Sequence, residues 1–74
     1  RMKKFVLPRQ VAMFICRRYL NQSFPEIGEI FEGKDHSTVI HSCRKIEEKI
    51  TTDQDLRKKI QIILNSLGIK EELD

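Results

Sequence analysis

Signals that start and stop helices lie close together in the middle of the chain, and they constrain the fold more than any other feature. Ser23 and Glu26 form a capping box, in which the hydroxyl accepts from a free backbone amide and the carboxylate bonds back to the cap. Gly33 can take the positive φ that ends a helix, and Asp35 is a favourable N-cap for the next one. We therefore predict a short helix, a turn of about three residues, and a longer helix over His36–Ile50.

Apolar residues recur at helical spacing on both sides of this helix pair. Upstream, Pro8 suits the first turn of a helix whose apolar stripe reaches Leu20. Downstream, Thr52 and Asp55 resemble a capping pair before a stripe that Gly68 ends. No alternating pattern is long enough for a strand. We predict an all-α fold, a small helical bundle that contains a helix-turn-helix of the Trp-repressor-like kind.

The chain is short enough to form one domain over residues 1–74. Its predicted segments are a basic linker over 1–7, a first helix over 8–21, the helix-turn-helix over 23–50, a C-terminal helix over 52–68 and a frayed tail over 69–74. A core this small argues against a buried catalytic cleft. No GxxxxGK[ST] nucleotide-binding motif occurs either. We therefore predict no enzymatic activity and no bound cofactor.

Charge is distributed unevenly along the chain, although the net charge is only +3. The first 18 residues contain six basic side chains and no acidic one, whereas residues 51–74 contain four basic and five acidic side chains. Each phosphate that Lys or Arg neutralises releases condensed counterions, so a basic end favours a polyanionic partner. Nucleic acid and acidic phospholipid both satisfy this argument. We find no apolar stretch long enough to span a membrane and no signal peptide.

The two cysteines and two histidines do not form a recognisable metal site. Cys16 and Cys43 fall on the apolar faces of the predicted helices, where a free thiol packs as a small apolar side chain. His36 and His41 have neither the CxxC nor the HxxxH spacing that zinc sites use. We predict no metal and no disulfide framework, and this cysteine usage is compatible with a cytoplasmic protein.

Polar and basic side chains lie on the outer faces of the first and last helices. Gln10 and Arg17 are seven residues apart on one face, with Asn21 beside them and Arg9 near the edge. That face can reach a phosphate strand. The cluster 57–59 on the last helix is interpreted as an ordinary solvated face.

The helix-turn-helix layout itself predicts duplex DNA binding. The second helix of such a unit enters the major groove with its N-terminal residues against base edges. Here those residues are Lys34, Asp35, His36, Ser37 and Thr38. Asp can accept from the cytosine amino group, a neutral His can donate or accept, and Ser or Thr can bond with either class of base. Two alternatives stay open: a dimeric helix-turn-helix transcription regulator, and a basic helical module that binds acidic phospholipid or protein.

The region from residue 8 to residue 50 resembles domain IV of the bacterial chromosomal replication initiator DnaA. The resemblance rests on Pro-Arg-Gln at 8–10, Pro-Glu-Ile-Gly at 25–28, Asp-His-Ser-Thr-Val-Ile-His at 35–41 and Cys-Arg-Lys-Ile at 43–46, all without gaps. It implies that a monomer binds the DnaA box, a short A·T-rich element of the replication origin, for initiation of chromosomal replication. The ATPase module of that family would lie upstream.

The same resemblance assigns individual roles. Base contacts are implied for Arg1, in the minor groove, and for Lys34, Asp35, His36 and Ser37. Phosphate contacts are implied for Arg9, Gln10, Arg17, Phe24, Pro25, Thr38 and Lys45, with Phe24 and Pro25 acting through main-chain groups. This chain departs from the family by having Glu32 for a Gly, Lys34 for an Arg and Phe24 for a Leu. Because Lys lacks the bidentate fork of Arg, we expect a looser contact at position 34.

Overall fold

The structure, a computed structural model, describes residues 6–31, 33 and 35–73, with only the backbone of Val6. It contains four helices, α1 (Val6–Tyr19), α2 (Phe24–Ile30), α3 (His36–Lys49) and α4 (Gln54–Ser66). No strand occurs within these residues, and the predicted all-α fold with a helix-turn-helix is confirmed. The first and last helices each differ by two residues from the predicted bounds at both ends.

α1 ends before the predicted residue because the chain turns at Asn21. Asn21 has a φ of 57°, in the left-handed region that asparagine tolerates better than most residues. The Gln22 N–H then donates to the Cys16 carbonyl at 3.2 Å. Asn21 therefore lies outside the helix, and our expectation that it shares the polar face of Gln10 and Arg17 is wrong.

The caps of the helix-turn-helix form as predicted. The Glu26 N–H donates to Ser23 Oγ at 3.2 Å, and the Ser23 N–H donates to Glu26 Oε1 at 2.8 Å, which completes the capping box. Gly33 adopts a φ of 63° in the turn. Asp35 caps α3 by accepting from the Ser37 N–H at 3.4 Å. These contacts are local, and they fix where α3 begins.

α3, with the Ile50 that caps its end, contributes to both apolar clusters of the core, as α1 does. Ile46 and Ile50 belong to a larger cluster with residues of α1 and α4, and Val39 and Cys43 belong to a smaller one with Met13 and Ile27. Val39 and Ile46 are both completely buried. α3 packs against α1 and α2, so its buried side is fixed along two successive layers.

Several apolar residues of the predicted stripes are exposed instead of buried. Leu20 is 48% exposed, Ile30 56%, Leu67 57% and Ile63 39%. Leu20 and Leu67 lie just outside a helix, and Ile30 is the last residue of one. Helical periodicity identifies the correct face, but it does not show where the packing partner ends.

The cap of α4 is Asp53, so the predicted capping pair of Thr52 and Asp55 is wrong. The Asp53 carboxylate accepts from the Leu56 N–H at 3.0 Å. The N–H groups of Thr52 and Asp53 both donate to the Lys49 carbonyl, at 3.1 and 2.8 Å, so both residues belong to the turn after α3. The capping residue is therefore one position later than the sequence pattern indicated.

Gly68 ends α4 as predicted, with a φ of 80°. The Ile69 N–H donates to the Leu64 carbonyl at 2.9 Å and the Gly68 N–H to the Asn65 carbonyl at 3.0 Å, the two bonds of a Schellman motif. Ile69 packs against the larger cluster that contains Leu64. The motif turns the chain back along α4.

Residues 69–73 are anchored, which corrects the expectation of a frayed tail over these residues. Leu73 is only 8% exposed and belongs to the larger core cluster. Gln61 Nε2 donates to the Glu71 carbonyl at 3.1 Å, and Gln61 Oε1 accepts from the Leu73 N–H, also at 3.1 Å. Arg57 donates to the carbonyls of Ile50 and Leu73, each at 3.2 Å. Arg57 is thus a structural residue, and its assignment to a solvated face is wrong.

Candidate nucleic-acid interface

The first turn of α3 presents its polar side chains to solvent. Asp35, His36, Ser37 and Thr38 are all exposed, while the next residue, Val39, is completely buried. The core therefore covers one side of α3 and leaves the polar side of its first turn exposed. Donors and acceptors at the start of an exposed helix are the arrangement that a helix-turn-helix uses in the major groove.

Asp35 combines two properties within this turn. One carboxylate oxygen, Oδ1, accepts from the Ser37 N–H at 3.4 Å, which orients the side chain along the start of the helix. An ionised carboxylate has about four acceptor sites, so most of its capacity is left for an outside donor. Its exposed position makes it accessible to a base-edge amino group.

Arg17 lies where α1, α2 and α3 meet. Its Cζ is 4.1 Å from the centroid of the Phe24 ring at the start of α2, and its Nη1 donates to the Gln22 carbonyl at 3.3 Å. The charge of Arg17 also acts on Cys43 in α3. Burial raises the pKa of the Cys43 thiol, and the negative charge of Glu47 raises that pKa further. The positive charge of Arg17 lowers it and so opposes both effects. Sequence reasoning missed the Phe24 and Gln22 contacts, because no pattern relates a helical arginine to a residue beyond the end of its helix.

The remaining phosphate candidates are distributed over three helices. Arg9, Pro25, Thr38 and Lys45 are exposed, and Gln10 and Phe24 are half-buried. Thr38 and Lys45 are seven residues apart on α3, which places them on one face two turns apart. The two remaining predicted contacts, Arg1 and Lys34, lie outside the described residues.

The described part of the chain contains neither of the other features considered from the sequence, a metal site and a membrane-spanning helix. No group of three His, Cys, Asp or Glu residues there can hold a metal ion. Cys16 and Cys43 are free thiols, and burial raises the pKa of each. Among the described helices, none is both long and apolar enough to cross a membrane.

Comparison with known proteins gives a consistent result. The family model described as bacterial dnaA protein helix-turn-helix matches residues 1–46. The chromosomal replication initiator protein DnaA of Geotalea uraniireducens is 49% identical over 73 residues, which cover 99% of this chain and 15% of that protein. The protein of the same name from Geobacter sulfurreducens is 48% identical over 67 residues, covering 90% of this chain and 15% of that protein. The protein of the same name from Treponema denticola is 46% identical over 67 residues, which cover 90% of this chain and 14% of that protein.

The chain thus spans about 15% of the length of the curated relatives it matches. No solved structure matches it.

Proposed function

The chain belongs to the family of the bacterial DnaA helix-turn-helix, a DNA-binding domain of replication initiation, and we propose that it binds one DnaA box as a monomer. This domain is not a catalytic one, and the ATPase part of full-length DnaA proteins is not within the chain. The observation that carries the proposal is the exposed first turn of α3 on a helix whose other side is completely buried at Val39 and Ile46. A fixed buried side gives the exposed turn a defined orientation, which sequence reading requires.

Base reading is assigned to the start of α3. Asp35 accepts from a cytosine amino group, His36 donates or accepts at a base edge, and Ser37 bonds with either class of base. Lys34 reaches a neighbouring base and Arg1 enters the minor groove, two roles carried over from the family resemblance. A good base contact discriminates by about 1 to 3 kcal/mol, so a few of them account for a strong preference for one box.

Phosphate binding is assigned to residues on three helices. Side chains contribute from Arg9, Gln10, Arg17, Thr38 and Lys45. At the start of α2, the cap uses the Ser23 and Glu26 amides, and the Ile27 amide bonds with the Ser23 carbonyl. Phe24 therefore supplies the main-chain N–H for a phosphate oxygen. Pro25 has no N–H to donate, so the main-chain contact that the resemblance implies for it is limited to packing against the sugar-phosphate strand. Such contacts set register and carry no base information.

A salt titration of the 74-residue chain tests the proposal. Binding to a duplex that contains a DnaA box should be tighter than to a scrambled duplex of equal composition. The affinity should fall with salt at a log-log slope of about −0.9 per phosphate neutralised, or about −3 for Arg9, Arg17 and Lys45 together. Sedimentation should give one chain per box. Equal affinity for both duplexes would remove the claim of sequence reading.

Two other outcomes would favour the alternatives. Two chains per site with two half-sites would indicate a dimeric helix-turn-helix regulator. Binding to vesicles of anionic phospholipid, with no duplex binding at low salt, would indicate that the basic N-terminal side binds acidic lipid instead.

The proposed DNA partner also implies a location in the bacterial cytoplasm, where the chromosome lies.

A further inference from the structure

The guanidinium of Arg17 is held by two contacts with the segment that follows α1. Its Cζ lies 4.1 Å from the Phe24 ring centroid, and its Nη1 donates to the Gln22 carbonyl at 3.3 Å. A guanidinium has five N–H donors, and the Gln22 carbonyl takes one of them. Arg17 therefore has further donors for an outside acceptor, and it is exposed enough for one to approach.

We propose that the Phe24 ring is a positioning residue for phosphate binding by Arg17, an inference that rests on the proposed function. A long arginine side chain loses rotamer freedom when it binds a phosphate, and a side chain already held against a ring loses less. The role differs from the main-chain contact assigned to Phe24. Here the ring increases duplex affinity through Arg17, without itself touching DNA.

The ring can do this because its own position is fixed. Phe24 is half-buried and packs against the cluster of Met13, Ile27, Val39 and Cys43. It directly follows Ser23, whose two capping bonds with Glu26 set the start of α2. The platform for Arg17 is therefore attached both to the core and to a capped helix end. The family resemblance places leucine at this position, and leucine has no aromatic face for a cation.

The test uses two substitutions of Phe24 that separate packing from stacking. F24L keeps an apolar side chain against the cluster and removes the ring, whereas F24Y keeps the ring. Affinities are measured for a DnaA-box duplex and a scrambled duplex in the wild type, F24L, F24Y, R17A and the R17A/F24L double variant. We expect F24L to weaken both duplexes about two- to fivefold, the range that an exposed cation–π contact implies, and F24Y, which keeps the ring, to weaken them less than F24L does. In the R17A background, F24L should change affinity by less than about 1.5-fold, because no cation remains to be positioned.

The possible results separate this inference from the proposed function. If F24L weakens binding equally with and without Arg17, the ring acts through packing and the inference is overturned. If F24L binds more tightly than the wild type, the ring sequesters Arg17, and the inference is again wrong. If R17A weakens binding while F24L has no effect, the proposed function stands and only the positioning role fails. Absence of duplex binding by the wild type would overturn the proposed function itself. Thermal unfolding of each variant identifies any loss that comes from misfolding.

Discussion

The Asp35 carboxylate accepts a hydrogen bond from the Ser37 N–H at 3.4 Å, so the residue proposed to read cytosine also caps the helix that carries it. Both partners are exposed. One side chain therefore couples the stability of α3 to the chemistry of its first turn. Substitutions that keep one property and remove the other can separate the two.

Two variants of Asp35 make this separation. D35A removes the cap and should lower the free energy of unfolding by about 1 kcal/mol, with loss of box preference. D35N keeps a capping oxygen and should unfold near the wild-type denaturant concentration. It nevertheless presents amide donors where a cytosine amino group needs an acceptor, so it should lose box preference as D35A does. Urea unfolding and duplex competition measure the two effects. Wild-type box preference in D35N would contradict the assignment of the cytosine contact to the oxygen that D35N replaces by an amide nitrogen.

His36 and Arg17 should differ in the kind of binding they support. H36A should reduce the preference for the box over a scrambled duplex by about 1 to 3 kcal/mol. R17A should weaken both duplexes to a similar extent and should reduce the salt slope by about one. His41 is also exposed on α3, and H41A is the matched control, for which we expect wild-type preference. Similar behaviour of H36A and R17A in competition binding would contradict this division of roles.

Gly33 should tolerate only residues that accept a positive φ. Its φ is 63°, and a Cβ added there would meet nothing within 4 Å. The cost of G33A is therefore conformational and should be about 1 to 2 kcal/mol in the free energy of unfolding. G33N should cost less, since asparagine visits this region more readily. Chemical denaturation of both variants tests the order, and equal losses would indicate that the turn changes conformation when substituted.

Leu73 should stabilise the domain without contributing to base reading. L73A removes a residue that is 8% exposed in the larger core cluster and should cost about 2 kcal/mol, the low end for a buried leucine. Ile62 is 65% exposed, and I62A should change stability by less than about 0.5 kcal/mol. Box preference at a temperature where the variant is folded should equal that of the wild type. A wild-type unfolding curve for L73A would mean that the tail is not anchored in solution.

Local features of the fold could be predicted from the sequence, and long-range ones could not. The capping box of Ser23 and Glu26 and the turn at Gly33 depend on residues within a few positions of each other, and both predictions are confirmed. The anchored tail depends on Gln61 reaching Leu73, 12 residues away. No periodicity in the sequence indicates that contact. The wrong cap at Thr52 has a different cause, since Thr52 and Asp53 are adjacent and both residue types can cap a helix, so the sequence pattern alone does not choose between them.

The same distinction between local and long-range features applies to the candidate interface. Its first turn is predictable because one helix carries Asp35, His36 and Ser37 in succession. The stacking of Arg17 on Phe24 was not predictable, because it depends on how the chain turns at Asn21 between the two helices. The individual base and phosphate contacts stay predictions until they are measured with DNA.

The position of α3 in both apolar clusters has a consequence for how the domain responds to heat. Displacement of α3 would open both clusters, because Ile46 and Ile50 belong to one and Val39 and Cys43 to the other. Recognition of the duplex and cooperative melting should therefore fail at the same temperature, without an intermediate range of loose binding. Heat-sensitive substitutions in either cluster should therefore leave the protein able to bind the duplex below its melting temperature and unable to bind it above.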